Sequence, residues 1–112
     1  MHLIDLLPEE TLALVALSRA VARADGAVTP LEGDAIAIMA AELGEAIYRR
    51  LFAKAAESFP DEAALKKFLA SILRPDARSL IYEYILALAG ADSISEEEEA
   101  LMGWLREAWK IE

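Results

Sequence analysis

The chain is predicted to be an all-α bundle of about six helices, and three observations lead there. Apolar residues recur at helical spacing along the whole sequence, and no segment alternates polar with apolar as a half-buried strand would. Proline, glycine and cap residues cut the sequence into pieces of helical length. A helix-loop-helix pattern near the start returns in altered form near the end. With 112 residues, 56% of them hydrophobic, the chain is about one domain long, so a single domain over 1–112 with one core is expected.

Helix one should begin near Pro8, a residue favoured in a first turn, with Glu9 and Glu10 suited to the positive end of the helix dipole. It ends at Asp25 and Gly26. Helix two starts where Thr29 can accept from the backbone N–H of Glu32 while the Glu32 carboxylate reaches back to Thr29. Pro30 fits its first position and Gly44 its stop. Helix three, Glu45 to Ser58, presents Ile47, Tyr48, Leu51, Phe52 and Ala55 as one apolar stripe and is stopped by Pro60. Asp61 caps helix four, whose stripe is Leu65, Phe68, Leu69, Ile72 and Leu73, with Lys66 and Lys67 on the other face. Arg74, Pro75 and Asp76 break the chain. Helix five then carries Leu80, Ile81, Tyr84, Ile85 and Leu88 to Gly90, and helix six buries Leu101, Trp104, Leu105 and Ala108, with Trp109 at its edge.

Shifting the sequence by 67 places Ala20, Ala22, Ala24 and Asp25 over Ala87, Ala89, Ala91 and Asp92. Past the loop the shift is 66, and Val28, Thr29, Glu32, Ile36 and Ile38 fall over Ile94, Ser95, Glu98, Met102 and Trp104. Two pseudo-repeated hairpins therefore flank a two-helix insert and should pack against each other. Their loops are unequal, since the second has Ser93 in place of the first loop's Gly26 and is one residue shorter.

Net charge is −9 and the sequence pI is about 4.6, which opposes nonspecific binding to nucleic acid or anionic lipid. The charge is polarised. From Arg49 to Arg78 seven basic residues face four acidic ones, a local balance of +3 that leaves −12 on the rest of the chain. Such a molecule can stack on further copies of itself, bind a basic protein or collect cations. No apolar stretch is long enough to span a bilayer, no positively charged segment precedes an apolar one at the start, and there is no cysteine. The expectation is a cytoplasmic protein without a disulfide framework. No phosphate-cradling glycine loop and no nucleophile with a histidine base is visible, so no catalytic residue and no cofactor is assigned. His2 stands in a terminal segment and takes no such role.

The motif Ala24-Asp25-Gly26-x-Val28-Thr29-x-x-Glu32, with a second Ala91-Asp92 version before a terminal helix, resembles the tellurite-resistance TerB family over about Glu10 to Lys110. The resemblance implies a small all-helical bacterial bundle associated with tellurite and other stresses, with divalent cations held by acidic loop residues. Carried over, the matching positions are Asp25, Gly26 and Glu32, then Asp92 and Glu98.

Two readings stand on those residues. As ligands, Asp25, Glu32, Asp92 and Glu98 offer only oxygen, which suits Ca²⁺ or Mg²⁺ and not zinc or copper. The loop lacks the alternating ligand spacing of a helix-loop-helix calcium site. As structure, Asp25 makes a turn, Gly26 ends helix one, and Thr29 with Glu32 caps helix two. The run Glu96, Glu97, Glu98 and Glu99 likewise either stabilises a helix N-terminus or forms a patch for a protein partner. The expected function is a non-catalytic interaction or scaffold module of a stress response, the alternative a cation-binding or sensing domain.

Overall fold

A computed structural model describes residues 2–24, 30–89 and 96–111. After a short 3-10 turn, Leu3–Asp5, six α-helices follow: α1 Pro8–Ala24, α2 Pro30–Leu43, α3 Glu45–Ser58, α4 Glu62–Leu69, α5 Pro75–Ala89 and α6 Glu96–Ala108. Among the described residues there is no strand.

The predicted punctuation is where the helices begin and end. Pro8 opens α1, and the Leu7 N–H donates to Glu10 Oε1 at 2.7 Å, so the third helical residue satisfies one of the free amides of the helix start. Asp61 Oδ1 accepts from the Ala64 N–H at 2.8 Å and caps α4. Between α2 and α3 the chain turns on Gly44, whose φ of 97° is hostile to any residue with a side chain. A Cβ there would sit 3.6 Å from Ile47 Cδ1, ordinary contact, so it is the backbone and not crowding that calls for glycine. At the far end α6 closes in a Schellman turn. Lys110 takes φ 54°, the Ile111 N–H donates to Arg106 O at 2.9 Å, and the Lys110 N–H donates to Glu107 O at 3.2 Å.

The centre of the bundle is α1. Every residue from Leu12 through Ser18 is buried, because α1 meets α3 and α5 over its length and α4 and α6 besides. The two predicted hairpins do face each other: α1 lies on α5 and α6, and α2 lies on α5. The insert, α3 and α4, packs on α1, with α3 also against α2. Leu65, Leu69, Ile72, Ile81, Ile85, Leu101, Leu105 and Trp109 join α1 in one continuous core.

Three local expectations are corrected. On α3 only Tyr48 and Ala55 are buried, Leu51 is half-buried, and Ile47 and Phe52 stand out at 44% and 37% exposure. Helical period places a stripe but not its width, and α1 covers only its middle. Secondly, α4 ends at Leu69. Ser71 Oγ and the Ser71 N–H both donate to Phe68 O, and Pro75 keeps the preceding residue out of helical backbone. Ile72 still reaches the core from this turn, whereas Leu73 is 72% exposed. Finally, Trp109 is no edge residue: it is buried at the end of α6 and its Nε1 donates to Leu69 O at 2.9 Å.

Candidate functional site

Four consecutive acidic residues stand at the start of α6. Glu96, Glu97, Glu98 and Glu99 occupy its first turn, where the unpaired backbone N–H groups and the helix dipole favour negative charge. Three of them, Glu96, Glu97 and Glu99, project into solvent. Glu98 does not: at 0% exposure it points into the bundle, so a partner touching this turn would meet only its three neighbours. Its direction has a sequence signal, since Glu98 shares one face with Leu101, Met102 and Leu105 at the i, i+3, i+4, i+7 spacing of a core stripe.

Asp25 and Asp92, with Gly26, Thr29 and Ser93, lie outside the described residues. Glu32 belongs to the first turn of α2, and its side chain is likewise outside them. Among the described residues no group of three or more His, Cys, Asp or Glu side chains is placed to hold a metal ion.

Beside the acidic turn a cleft of about 280 Å³ opens between α1, the α3–α4 connection and α6. Ala20, Phe59, Leu65 and Leu101 give it an apolar floor, and Asp61, Glu62, Glu97 and Arg19 stand around it. Arg19 also lies with its Cζ 5.9 Å from the centre of the Phe52 ring. Across α4, Lys66 Nζ is 3.6 Å from Glu62 and 5.1 Å from the centre of the Trp104 ring.

Two polar groups inside the bundle have burial and partners that the sequence did not show. Glu10, buried, takes a bidentate grip from Arg74: Nε to Oε2 at 2.8 Å and Nη2 to Oε1 at 2.5 Å, with Nη2 also donating to Asp5 O at 3.1 Å. The Arg74 guanidinium holds the Glu10 carboxyl below the usual glutamate range, against the upward push of its burial. Ser18 is the second. Its Oγ donates to Val15 O at 2.7 Å, which leaves its lone pairs to accept the Tyr48 phenol at 3.1 Å. Enclosed between a carbonyl and a phenol, this hydroxyl is a packing group. Glu10 could have been anticipated, because a glutamate two residues after an opening proline is a helix-start signature. Ser18 carried only the weaker signal of one hydroxyl in an apolar run.

A family model described as Tellurite resistance protein TerB matches residues 11–111. The chain belongs to the TerB family. The matched span takes in all six helices apart from the first residues of α1, and both loops of the repeat. No curated protein and no solved structure matches this TerB-family chain. Among its described residues no helix is long and apolar enough to cross a membrane.

Proposed function

We propose that this TerB-family chain is a non-catalytic module of a stress response linked to tellurite resistance, acting in the cytoplasm through contacts with a basic protein partner. The observation that supports the reading is the exposed carboxylate set Glu96, Glu97 and Glu99 beside a cleft with an apolar floor. Interfaces combine an apolar centre with a charged rim that selects the partner by sign. A negative rim favours Lys and Arg on the other side and repels nucleic acid and anionic lipid.

The test is complementation. Cells lacking the gene and carrying the E96K/E97K/E99K variant should grow on tellurite no better than cells without it, while the variant's helix content and melting point stay those of the parent protein. Full rescue by that variant would refute the reading.

A second reading, cation binding, is favoured by the burial of Glu98. Glutamates are seldom enclosed so fully, and this one stands just after the loop that carries Asp92. In that reading Glu98 and Asp92, with Asp25 and Glu32, supply hard oxygen donors to Ca²⁺ or Mg²⁺. A ligand bound only by the folded state at about 100 times its Kd adds about 2.7 kcal/mol, so millimolar Ca²⁺ or Mg²⁺ should raise the melting midpoint over that in EDTA. Superimposable melts and no heat on titration would remove this reading.

A further inference from the structure

We propose that the groove between α5 and the turn after α6 binds a free carboxylic acid with an apolar tail. Arg78 and Lys110 receive the carboxylate, and Tyr82, Leu86 and Ile111 receive the tail. This groove shares no residue with the acidic cleft, so the proposal stands or falls apart from the partner reading of that cleft.

The groove has a volume of about 370 Å³, within the range of small-molecule sites. On α5, Arg78, Tyr82 and Leu86 line it at intervals of four residues, and Trp109, Lys110 and Ile111 close it from the turn after α6. Its apolar walls are only partly covered: Leu86 is 42% exposed, and Tyr82 and Ile111 are half-buried. An occupant would take that surface from water. Trp109 offers the groove an apolar ring, since its Nε1 is already bonded to Leu69 O.

In a chain of net charge −9, two cations reach this groove from two different elements. Neither enters an ion pair among the described residues. Arg78 Nε donates to Ile72 O at 2.6 Å, which orients the guanidinium and leaves its two Nη groups free to grip a carboxylate. Lys110 stands in left-handed backbone, φ 54°, a conformation that disfavours any residue with a side chain. Glu83 also lines the groove; set against the two cations it leaves a net charge of +1, which balances one carboxylate and not a doubly charged phosphate. The groove is ordered as well. Arg78 precedes Leu86 by eight residues, about 12 Å along the helix axis, so charge lies towards one end and apolar surface towards the other. With bonds of about 1.5 Å in a zigzag, an acid of about ten carbons covers that length.

The experiment titrates sodium decanoate, below its micelle concentration, into the full chain at neutral pH and follows backbone amide resonances. The shifts should map to α5 and to residues 109–111, with a Kd of about 0.05 to 1 mM, the range a ligand of this size supports. Decyltrimethylammonium carries the same tail with the opposite charge. A chain of net charge −9 attracts it in general, but this groove should not take it up. Arg78→Gln should weaken decanoate binding about tenfold and Lys110→Gln about threefold, whereas Glu83→Gln should tighten it about twofold. Lys110 and Glu83 are exposed, so these two variants keep the test intact if Arg78→Gln does not fold. No shift at about 5 mM decanoate, beyond the expected range, overturns the proposal. So do shifts scattered away from the groove, equal shifts with the cationic probe, or equal affinity in Lys110→Gln and Glu83→Gln. Retention on phosphatidylglycerol vesicles without decanoate binding also overturns it, since the surface recognised is then a membrane and not a free acid.

Discussion

Removing the Ser18 hydroxyl should cost more than removing the Tyr48 hydroxyl to which it is bonded, although each substitution deletes one oxygen. In the native chain the Ser18 proton goes to Val15 O, so the phenol is the donor between the two side chains. Tyr48→Phe leaves Ser18 with its carbonyl partner and forfeits one neutral hydrogen bond, about 1 kcal/mol. Ser18→Ala leaves the phenol, on a residue buried against α1, without an acceptor, at a cost of about 2 kcal/mol. In the double variant no donor is stranded, and its cost should fall back to about 1 kcal/mol, giving a coupling of roughly 2 kcal/mol. Urea unfolding followed by circular dichroism measures all four corners. With an m-value of about 2 kcal/mol/M, Ser18→Ala should lower the midpoint by about 1 M and Tyr48→Phe by about half that. Additive costs, or a Tyr48→Phe penalty equal to or above that of Ser18→Ala, would refute the assignment of the phenol as donor.

Other consequences concern pH and the end of α6. The carboxyl of Glu10 is held low by Arg74, so the stability it contributes is present above the ordinary glutamate value of about 4.3 and lost as pH falls through the folded value. The stability difference between the parent chain and Glu10→Gln, measured by urea unfolding at neutral pH and at successively lower pH, should therefore shrink below about pH 4. Burial pushes the Tyr48 phenol up, and the bond to Glu42 does the same for Tyr84. A raised value means the unfolded chain loses these protons first, so stability should decline above about pH 10 and decline less steeply in Tyr48→Phe. Lys110 holds a left-handed conformation that glycine adopts freely; Lys110→Gly should stabilise by about 1 kcal/mol, seen as a raised melting midpoint, whereas a lowered midpoint would show that the lysine side chain holds the turn.

What could be read from the sequence was mostly local. Pro8, Pro30, Gly44, Asp61 and Pro75 mark helix ends because each acts through its own backbone or its nearest amides, and the structure has helix boundaries beside all five. The grip of Arg74 on Glu10 spans 64 positions and has no periodic trace. Ile47 and Phe52 share the stripe of Tyr48, and only the angle at which α1 crosses α3 determines which of them is covered. At the site, four consecutive glutamates look alike as a charge run, yet Glu98 is in phase with Leu101 and Leu105 and the others are not. The composition of that run suggested one surface; its helical phase divides it in two.

Enclosing α1 on several sides has a consequence for how the protein is made. Its run from Leu12 to Ser18 is the longest wholly buried run among the described residues, yet it precedes α5 and α6, two of its covers, in chain order. At about 5–20 residues per second, the ribosome needs roughly 3–10 s to pass from the end of α1 to the start of α5. Through that interval α1 has only α3 and α4 of these covers to lean on. The order of synthesis, as much as the finished packing, thus makes this segment the one on which a chaperone would close.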